Sequence, residues 1–454
     1  MRSFIILLSV LFLTSFSYAN TPEEELTALL KDTAKTKTDA VLIYKDGKMI
    51  YEYYDREYTP NTKHLSWSAA KTMTGILIGI ADSEGLISIN DPVQKYFPTI
   101  KTSARVIDLL QMSSGISFKE VFEGLPFNLD LTNMMYLAGQ PQGYVSYMLN
   151  NPLSETGAPG EYYNYSSGDV DLLMGILQKA IGNQKVYNNY PWAKLFNPLG
   201  INATFEQDIK GTFVGASYIY MSPLDFLKVG QLIMNKGEWN GRQIIPAKYF
   251  ELMNIVAPGV QIKVQKGNLE NKAYSVLAVT NLPIAGRNQP SAYNDLPLDA
   301  LIMYGFQGQI IVASPSQKLV VVRLAMDERD MDRLTFYAGV KKFILDKGLP
   351  YETVDGAPAV SNWLFGSEPN DRPIVSFPQL LRAYAAKEFC SCVFVTGRSE
   401  DICKDDVSGL FKVIPELKIE GRLVKAQILF DIFGSVAMAE YRGKKQGCIL
   451  TQSE

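Results

Sequence analysis

The chain has 454 residues, a formal net charge of −3, 47% apolar residues and 20% charged residues. This length predicts more than one structural unit, because single cores seldom grow past about 300 residues, and the composition is typical of a soluble globular protein with a sizeable core. No run of lysine and arginine reaches the five or six that a polyanion-binding patch needs, so the sequence gives no support for nucleic-acid binding.

The first residues have the pattern of an export signal. Arg2 provides a positive start, residues 4–16 are apolar, and Ser17-Tyr18-Ala19 resembles a small-x-small cleavage site. The apolar stretch is shorter than the roughly 20 residues that a membrane-spanning helix needs, and no cysteine follows it for lipid attachment. We therefore predict a signal peptide over residues 1–19, export to the periplasm or the medium, and no stable membrane span in the mature chain.

The elements that follow predict an α+β fold. A charged helix over residues 21–35 precedes two strands around an Asp-Gly turn, and residues 116–164 are typical of a loop-and-helix excursion that walls a cleft. Strands come at both ends of the first 350 residues, with helices between them, so one antiparallel sheet gathers the terminal strands around a large inserted helical region. The predicted strands are residues 40–44, 49–54, 309–313 and 319–324, and the predicted helices are residues 68–84, 105–112, 169–181, 223–236 and 335–347.

The chain divides into a main unit and a small C-terminal module. We predict a hydrolase unit over residues 20–348 and a linker over residues 349–378, which is rich in Pro, Gly, Asn and Ser. Residues 379–454 form the module, for which a stabilising role is favoured over capping the main unit or binding a partner.

All four cysteines lie in this module, at positions 390, 392, 403 and 448. An even number in an exported protein predicts two disulfides. A bond between Cys390 and Cys392 would close a strained ring, so each is expected to pair with Cys403 or Cys448. A zinc site is the rival interpretation, but the usual C-x-x-C spacing is missing.

The chemistry is expected to centre on Ser68 and Lys71. A Ser-x-x-Lys pattern at the start of a helix places both side chains one turn apart on the same face. A hydroxyl beside an amine is a nucleophile beside its base, and the helix N-terminus supplies a positive field where an oxyanion would form. The single histidine, His64, has no G-x-S-x-G elbow near it, so we expect it to be structural or at the rim.

Two later stretches complete this interpretation. Residues 159–169 place Tyr165 just before an apolar helix, and a phenol beside the Lys71 ammonium is expected to have a lowered pKa and to act as a general base. Residues 304–309 read Tyr-Gly-Phe-Gln-Gly-Gln and lead into a strand. A glycine there allows close approach of a substrate, and the backbone N–H of Gln309 is placed to complete an oxyanion hole.

In order and spacing, these stretches resemble the serine β-lactamase and penicillin-recognising hydrolase superfamily, over about residues 38–345. The branch is that of class C β-lactamases, D-alanyl-D-alanine carboxypeptidases, esterases and 6-aminohexanoate-oligomer hydrolases. Residues 71–93 resemble the first catalytic helix and its exit, and residues 106–115 resemble the next helix and its Ser-Gly turn. Residues 165–169, Tyr-Ser-Ser-Gly-Asp, are closest to the aminohexanoate hydrolases.

The resemblance implies a β-lactamase/transpeptidase-like fold and an acyl-enzyme mechanism without a cofactor or metal. Ser68 would be the acylated nucleophile, and Lys71 would be its proton partner. Tyr165 would be the base in acylation and would activate water in deacylation. The backbone N–H groups of Ser68 and Gln309 would form the oxyanion hole.

The substrate side departs from the lactamases. Ser167 replaces the Asn of their Tyr-x-Asn pattern, and Phe306 stands where lactamases and peptidases carry a Lys or His that binds the substrate carboxylate. Gly308 matches the glycine of the Lys-Thr-Gly or His-x-Gly pattern, with Gln307 and Gln309 on either side. The missing cation argues against a dedicated β-lactamase and favours a neutral or differently charged ester or amide.

The predicted function is an exported serine hydrolase that cleaves a small-molecule ester or amide through Ser68, Lys71 and Tyr165. Two alternatives stay open. One is a peptidoglycan D,D-peptidase or penicillin-binding protein of the same fold, and the other is a catalytically silent binding protein that keeps the fold for recognition.

Overall fold

The computed structural model leaves the predicted signal peptide, residues 1–19, and most of the predicted linker, residues 354–376, outside the part of the chain that it describes. The described residues are 20–31, 36–120, 130–137, 139–154, 157–263, 272–327, 332–353, 377–411, 415–428 and 436–453.

The predicted N-terminal hairpin is confirmed. Residues Val41, Leu42 and Ile43 form a fully buried stretch of strand, and the Asp46-Gly47 turn has φ values of 50° and 84°, the left-handed conformation that a two-residue hairpin turn requires. The strands of the main unit are β1 Thr38–Lys45, β2 Lys48–Tyr54, β3 His64–Leu65, β4 Thr204–Phe205, β5 Ile219–Met221, β6 Glu238–Trp239, β7 Arg242–Gln243, β8 Ala273–Tyr274, β9 Val279–Thr280, β10 Leu301–Gly305, β11 Gln309–Ser314 and β12 Leu319–Ala325.

A seven-stranded antiparallel sheet forms the centre of the main unit. Its order is β2-β1-β12-β11-β10-β9-β8, so strand β1 from the start of the chain pairs with strand β12, in a register that joins Thr38 to Ala325 and Lys45 to Leu319. The expected α+β architecture is therefore correct: strands from both ends of the first 350 residues form one sheet, and the helical region is inserted between them. The small β3-β5-β4 sheet lies beside the turn that carries Ser68.

The helices are placed around this sheet by close packing. Tyr51 of β2 packs edge-on against Phe343, while Gly230 lies so close to β12 that an added Cβ would be 2.3 Å from Val320 Cγ1. Tyr51 and Val320 point to opposite faces in the strand register, so the helices of Phe343 and Gly230 cover opposite faces. The helices of the main unit are α1 Pro22–Lys31, α2 Ala70–Ser83, α3 Val106–Leu110, α4 Asp130–Tyr136, α5 Gly139–Gln142, α6 Tyr144–Leu149, α7 Ser167–Ile181, α8 Gln184–Pro191, α9 Pro223–Met234, α10 Ala247–Met253, α11 Pro258–Ile262 and α12 Arg333–Asp346.

Helix α2 lies deep in the core. Every residue from Ala70 to Ala81 is buried, and a Cβ added at Gly79 would lie 2.4 Å from the ring of Tyr249. This close approach explains a glycine inside a helix, where the residue ordinarily costs about 1 kcal/mol relative to Ala. The helix directly follows the turn that carries Ser68, so the core fixes the position of that turn.

The C-terminal module contains helices α13 Phe377–Ser391 and α14 Glu400–Phe411 and a four-stranded antiparallel sheet of β13 Glu416–Glu420, β14 Leu423–Gln427, β15 Ala437–Tyr441 and β16 Cys448–Ser453. Its two disulfides join Cys390 to Cys448 and Cys392 to Cys403, so the expected pairing pattern is correct. Among the described helices of the whole chain, none has the length and apolar character to cross a membrane.

The module packs on the main unit through buried polar groups. Glu388 of α13 accepts hydrogen bonds from the phenols of Tyr136 and Tyr218, at 3.0 and 2.7 Å. Glu206 of the main unit accepts the backbone N–H of Cys448 at 2.7 Å. Buried polar groups that are satisfied across an interface fix its geometry, which supports the proposed stabilising role.

Candidate active site

The nucleophile candidate lies on a strained turn. Ser68 is the middle residue of a single 3₁₀ turn, Trp67–Ala69, that leads into α2. Trp67 has a φ of 43°, a left-handed conformation that costs a non-glycine residue about 1–3 kcal/mol. From His64 to Ala81, Ser68 is the one residue that is not buried. The turn therefore exposes a single hydroxyl from an otherwise closed segment.

Lys71 connects this hydroxyl to the interior. Its Nζ donates to Ser68 Oγ at 3.0 Å, to Ser167 Oγ at 2.8 Å and to the Ala216 carbonyl at 3.1 Å, and the side chain is buried. Three donated hydrogen bonds use all the protons of an ammonium group. The structure thus brings the predicted Ser68 and Lys71 together and adds Ser167 to the same network.

Tyr165 lies against Lys71. The Lys71 Nζ is 4.9 Å from the centre of its ring, and the lysine charge acts on its phenol. The pKa of Tyr165 is raised, because burial disfavours the phenolate more than the Lys71 charge stabilises it. The expected lowering of this pKa is therefore wrong in its net direction, although the ammonium acts in the expected sense.

The pKa of Lys71 is also raised. Burial lowers it, but the combined attraction of Tyr165 and the Glu120 carboxylate outweighs that effect. The resting site therefore holds a lysine ammonium and a neutral phenol.

Glu120 is a site residue that sequence reasoning missed. Its two carboxylate oxygens accept hydrogen bonds from the backbone N–H and the Oγ of Ser167, both at 2.5 Å, and Oε1 lies 3.6 Å from Lys71 Nζ. The residue belongs to neither a catalytic pattern nor a periodic element, since it follows the Ser-Gly turn in an irregular segment. Only the fold brings it to the start of α7.

The segment of residues 306–308 contacts the turn that carries Ser68. Trp67 Nε1 donates to Gln307 Oε1 at 3.1 Å, and the ring of Phe306 packs edge-on against Trp67 with centroids 5.6 Å apart. Gln307 itself has a left-handed backbone with a φ of 60°. A Cβ added at Gly305 would lie 2.4 Å from the Ser66 carbonyl oxygen, so the strand edge contacts the turn directly.

The remaining predicted substrate-binding residues have internal contacts. Gly308 has a φ of 93°, and a Cβ there would lie 2.3 Å from Arg323 Nη1. The Gln309 side chain donates to the carbonyls of Phe306 and Ala325 at 2.9 and 2.7 Å. Since Ser167, Gln307 and Gln309 are all buried, contacts with substrate from the two glutamines would have to come from their backbone.

His64 has a structural environment, as expected. The ring is fully buried, with Nε2 3.0 Å from Asp39 Oδ2 and Nδ1 2.9 Å from the Leu65 carbonyl. Asp39 also pairs with Arg56, which pairs with Asp406 of the C-terminal module. Both ring nitrogens are therefore engaged in a network that connects the two parts of the chain.

The family model that matches this chain is described as Beta-lactamase and covers residues 26–235. A 6-aminohexanoate-dimer hydrolase of Paenarthrobacter ureafaciens is 25% identical over 232 residues, which are 48% of this chain and 57% of that protein. A teichoic acid D-alanine hydrolase of Staphylococcus aureus strain MRSA252 is 29% identical over 210 residues, which are 42% of this chain and 52% of that protein. The matches thus span little more than half the length of these two relatives.

The fold is shared with solved structures as well. The octameric penicillin-binding protein homologue from Pyrococcus abyssi aligns with a TM-score of 0.52 at 18% identity, over 93% of this chain and 90% of that chain. The alignment therefore includes most of the C-terminal module. At this sequence identity, it shows a shared fold and nothing more. The family model matches a little under half of the chain, and together with the two relatives it shows that this part is similar to the serine β-lactamase-related superfamily.

Proposed function

We propose that this protein is an exported serine hydrolase that cleaves esters or amides through an acyl-enzyme on Ser68. The observation that carries the proposal is the hydrogen bond between Lys71 Nζ and Ser68 Oγ at 3.0 Å, with the centre of the Tyr165 ring 4.9 Å from the same Nζ. A hydroxyl held by an amine beside a phenol, and exposed on a strained turn at the start of a helix, has the parts that nucleophilic catalysis needs.

In acylation, Ser68 Oγ attacks the substrate carbonyl and its proton passes to Lys71 once that amine has become neutral. The neutral Tyr165 phenol then donates its proton to the leaving group, which departs as an alcohol or amine. This assignment follows from the raised pKa of Tyr165, which is a consequence of burial and makes the phenol a proton donor at rest.

In deacylation, Tyr165 has become a phenolate beside the Lys71 ammonium. It takes a proton from water as the water oxygen attacks the acyl carbonyl, and Lys71 returns a proton to Ser68 Oγ as the acid leaves. The oxyanion in both steps would be bound by the backbone N–H groups of Ser68 and Gln309. The Trp67–Gln307 hydrogen bond holds the two segments that carry these groups together, which supports that role.

The substrate is expected to lack the carboxylate of a β-lactam. Phe306 takes the place of the family's carboxylate-binding cation and packs on Trp67 beside the nucleophile turn. Two relatives are named as hydrolases of 6-aminohexanoate dimer and of teichoic acid D-alanine, which agrees with ester or amide substrates other than β-lactams.

A substrate panel tests this proposal. We expect turnover of p-nitrophenyl acetate and butyrate, with no lasting label from a fluorescent penicillin, because Phe306 stands at the position of the cation that binds the substrate carboxylate in the family. Phe306→Lys supplies that cation, so it should increase penicillin labelling relative to the wild type, while Phe306→Leu serves as the matched control and should not. Stoichiometric penicillin labelling of the wild type would favour the D,D-peptidase alternative. An absence of both ester turnover and fluorophosphonate labelling would favour the silent binding protein.

A further inference from the structure

The mechanism above requires a neutral Lys71, but the resting lysine is an ammonium that donates all three of its hydrogen bonds. One of these bonds goes to Ser68 Oγ, so in this state the nitrogen has no lone pair to accept the serine proton. The raised pKa of Lys71 makes loss of a proton to bulk water unfavourable at neutral pH. A proton acceptor is therefore needed within the site.

A continuous hydrogen-bonded path leads from Lys71 to such an acceptor. The ammonium donates to Ser167 Oγ at 2.8 Å, and Ser167 Oγ donates to Glu120 Oε1 at 2.5 Å. Glu120 is 9% exposed and Ser167 is 1% exposed, so the path lies inside the protein. The second Glu120 oxygen is fixed by the Ser167 backbone N–H, which holds the carboxylate in line with the path.

We propose that Glu120 is the proton store for acylation and acts on Lys71 through the hydroxyl of Ser167. The inference rests on the proposed acyl-enzyme function. The Ser167 proton moves to Glu120 while a Lys71 proton moves to Ser167 Oγ, so that an ammonium and a carboxylate become a neutral amine and a carboxylic acid. Rotation about the Cε–Nζ bond then turns the lone pair of Lys71 toward Ser68.

The cycle closes without any external base. Lys71 takes the Ser68 proton during attack and returns it during deacylation, after which Glu120 gives its stored proton back through Ser167. Burial assists the first transfer, because a low-dielectric site favours a neutral pair over two charges. Glu120 touches no reacting atom, so its role is to position a proton for Lys71.

Several other titratable groups face Glu120 and belong to the same electrostatic unit. Lys71 is the neighbouring cation, and the phenol of Tyr165 also interacts with the carboxylate. Asp169 and Asp171 of α7 interact with the carboxylate, and burial raises the pKa of both, to about 8 for Asp169. Tyr163 and Tyr274 complete the set, and burial also raises their pKa values.

The test is the pH dependence of kcat/KM for p-nitrophenyl butyrate in Glu120→Gln, Ser167→Ala and the double variant. Removing a general-base path costs about 10²–10⁴-fold, so each single variant is expected to fall in that range. Because both residues act on one path, the double variant should be no slower than the slower single variant. The pH profile of Glu120→Gln should differ in shape from the wild-type profile, whereas a merely structural defect would lower the rate equally at every pH.

The control is Glu161→Gln, which makes the same chemical change at an exposed glutamate outside the path and should leave the profile unchanged. A Glu120→Gln profile with the wild-type shape, or additive losses in the double variant, would overturn the proposal. Should Glu120→Gln fail to fold, an unchanged rate in Ser167→Ala would overturn it alone. Fluorophosphonate labelling of wild-type Ser68 separates the two questions, since its absence would reject the serine-hydrolase proposal itself.

Discussion

Ser68→Ala should abolish ester turnover without changing the fold. We expect kcat for p-nitrophenyl acetate to fall by about 10⁴-fold or more, because removing a nucleophile leaves only the contribution of binding and oxyanion stabilisation. The Oγ atom accepts from Lys71 and lies on a partly exposed turn, so its loss opens no cavity in the core. Initial rates with active-site-saturating substrate measure the effect, and circular dichroism checks the fold.

Ser83→Ala is the matched control for this prediction. Ser83 ends the same helix, α2, and its Oγ donates only to the Ile80 carbonyl, at 2.8 Å. The variant should keep wild-type turnover. Turnover in Ser68→Ala that stays within tenfold of the wild-type value would mean that another group is the nucleophile.

Asp327→Ala should greatly lower the free energy of unfolding. Arg323 and Asp327 are fully buried and joined by two hydrogen bonds, at 2.8 and 3.0 Å. Removing the carboxylate leaves an uncompensated guanidinium in the core, which costs about 3–5 kcal/mol of the free energy of unfolding. Urea titration followed by tryptophan fluorescence measures this change.

The same variant should also slow turnover. Arg323 Nη1 donates to the Gly308 carbonyl at 3.0 Å, so the ion pair supports the segment that precedes the Gln309 N–H.

Replacing both partners, as in Arg323→Met with Asp327→Leu, should recover part of the lost stability because no lone charge stays buried. Asp346→Ala removes one of two exposed partners of Lys342, the other being Glu25, and should leave the unfolding midpoint almost unchanged. A midpoint for Asp327→Ala equal to that of this control would contradict the prediction.

The sheet and its main helices were predictable because local patterns and packing agree. The hairpin of β1 and β2 has an Asp-Gly turn between two apolar runs, and α7 is closed by Gly182 in a left-handed conformation with a φ of 68°. The candidate catalytic stretches were identified for a different reason, since Ser68, Lys71 and Tyr165 keep the order and spacing of a known family.

What could not be predicted depends on contacts between distant segments. The hydrogen bond between Glu120 and Ser167 joins residues 47 positions apart in the sequence. The hydrogen bond between Trp67 and Gln307 joins residues 240 positions apart. The direction of the Tyr165 pKa shift was missed because proximity to a lysine can be inferred from a pattern, whereas the depth of burial cannot. The buried interface of Glu388 with two tyrosines of the main unit likewise has no periodic signal.

The most direct test of the central claim is the mass of the trapped intermediate. Wild-type protein mixed with a p-nitrophenyl ester and quenched in acid should carry one acyl group per chain, on the tryptic peptide that contains Ser68. Tyr165→Phe should increase the trapped fraction, because it removes the group that takes the proton from the deacylating water. An enzyme that turns over the ester while showing no acyl adduct, or one that carries the adduct on another residue, would contradict the account.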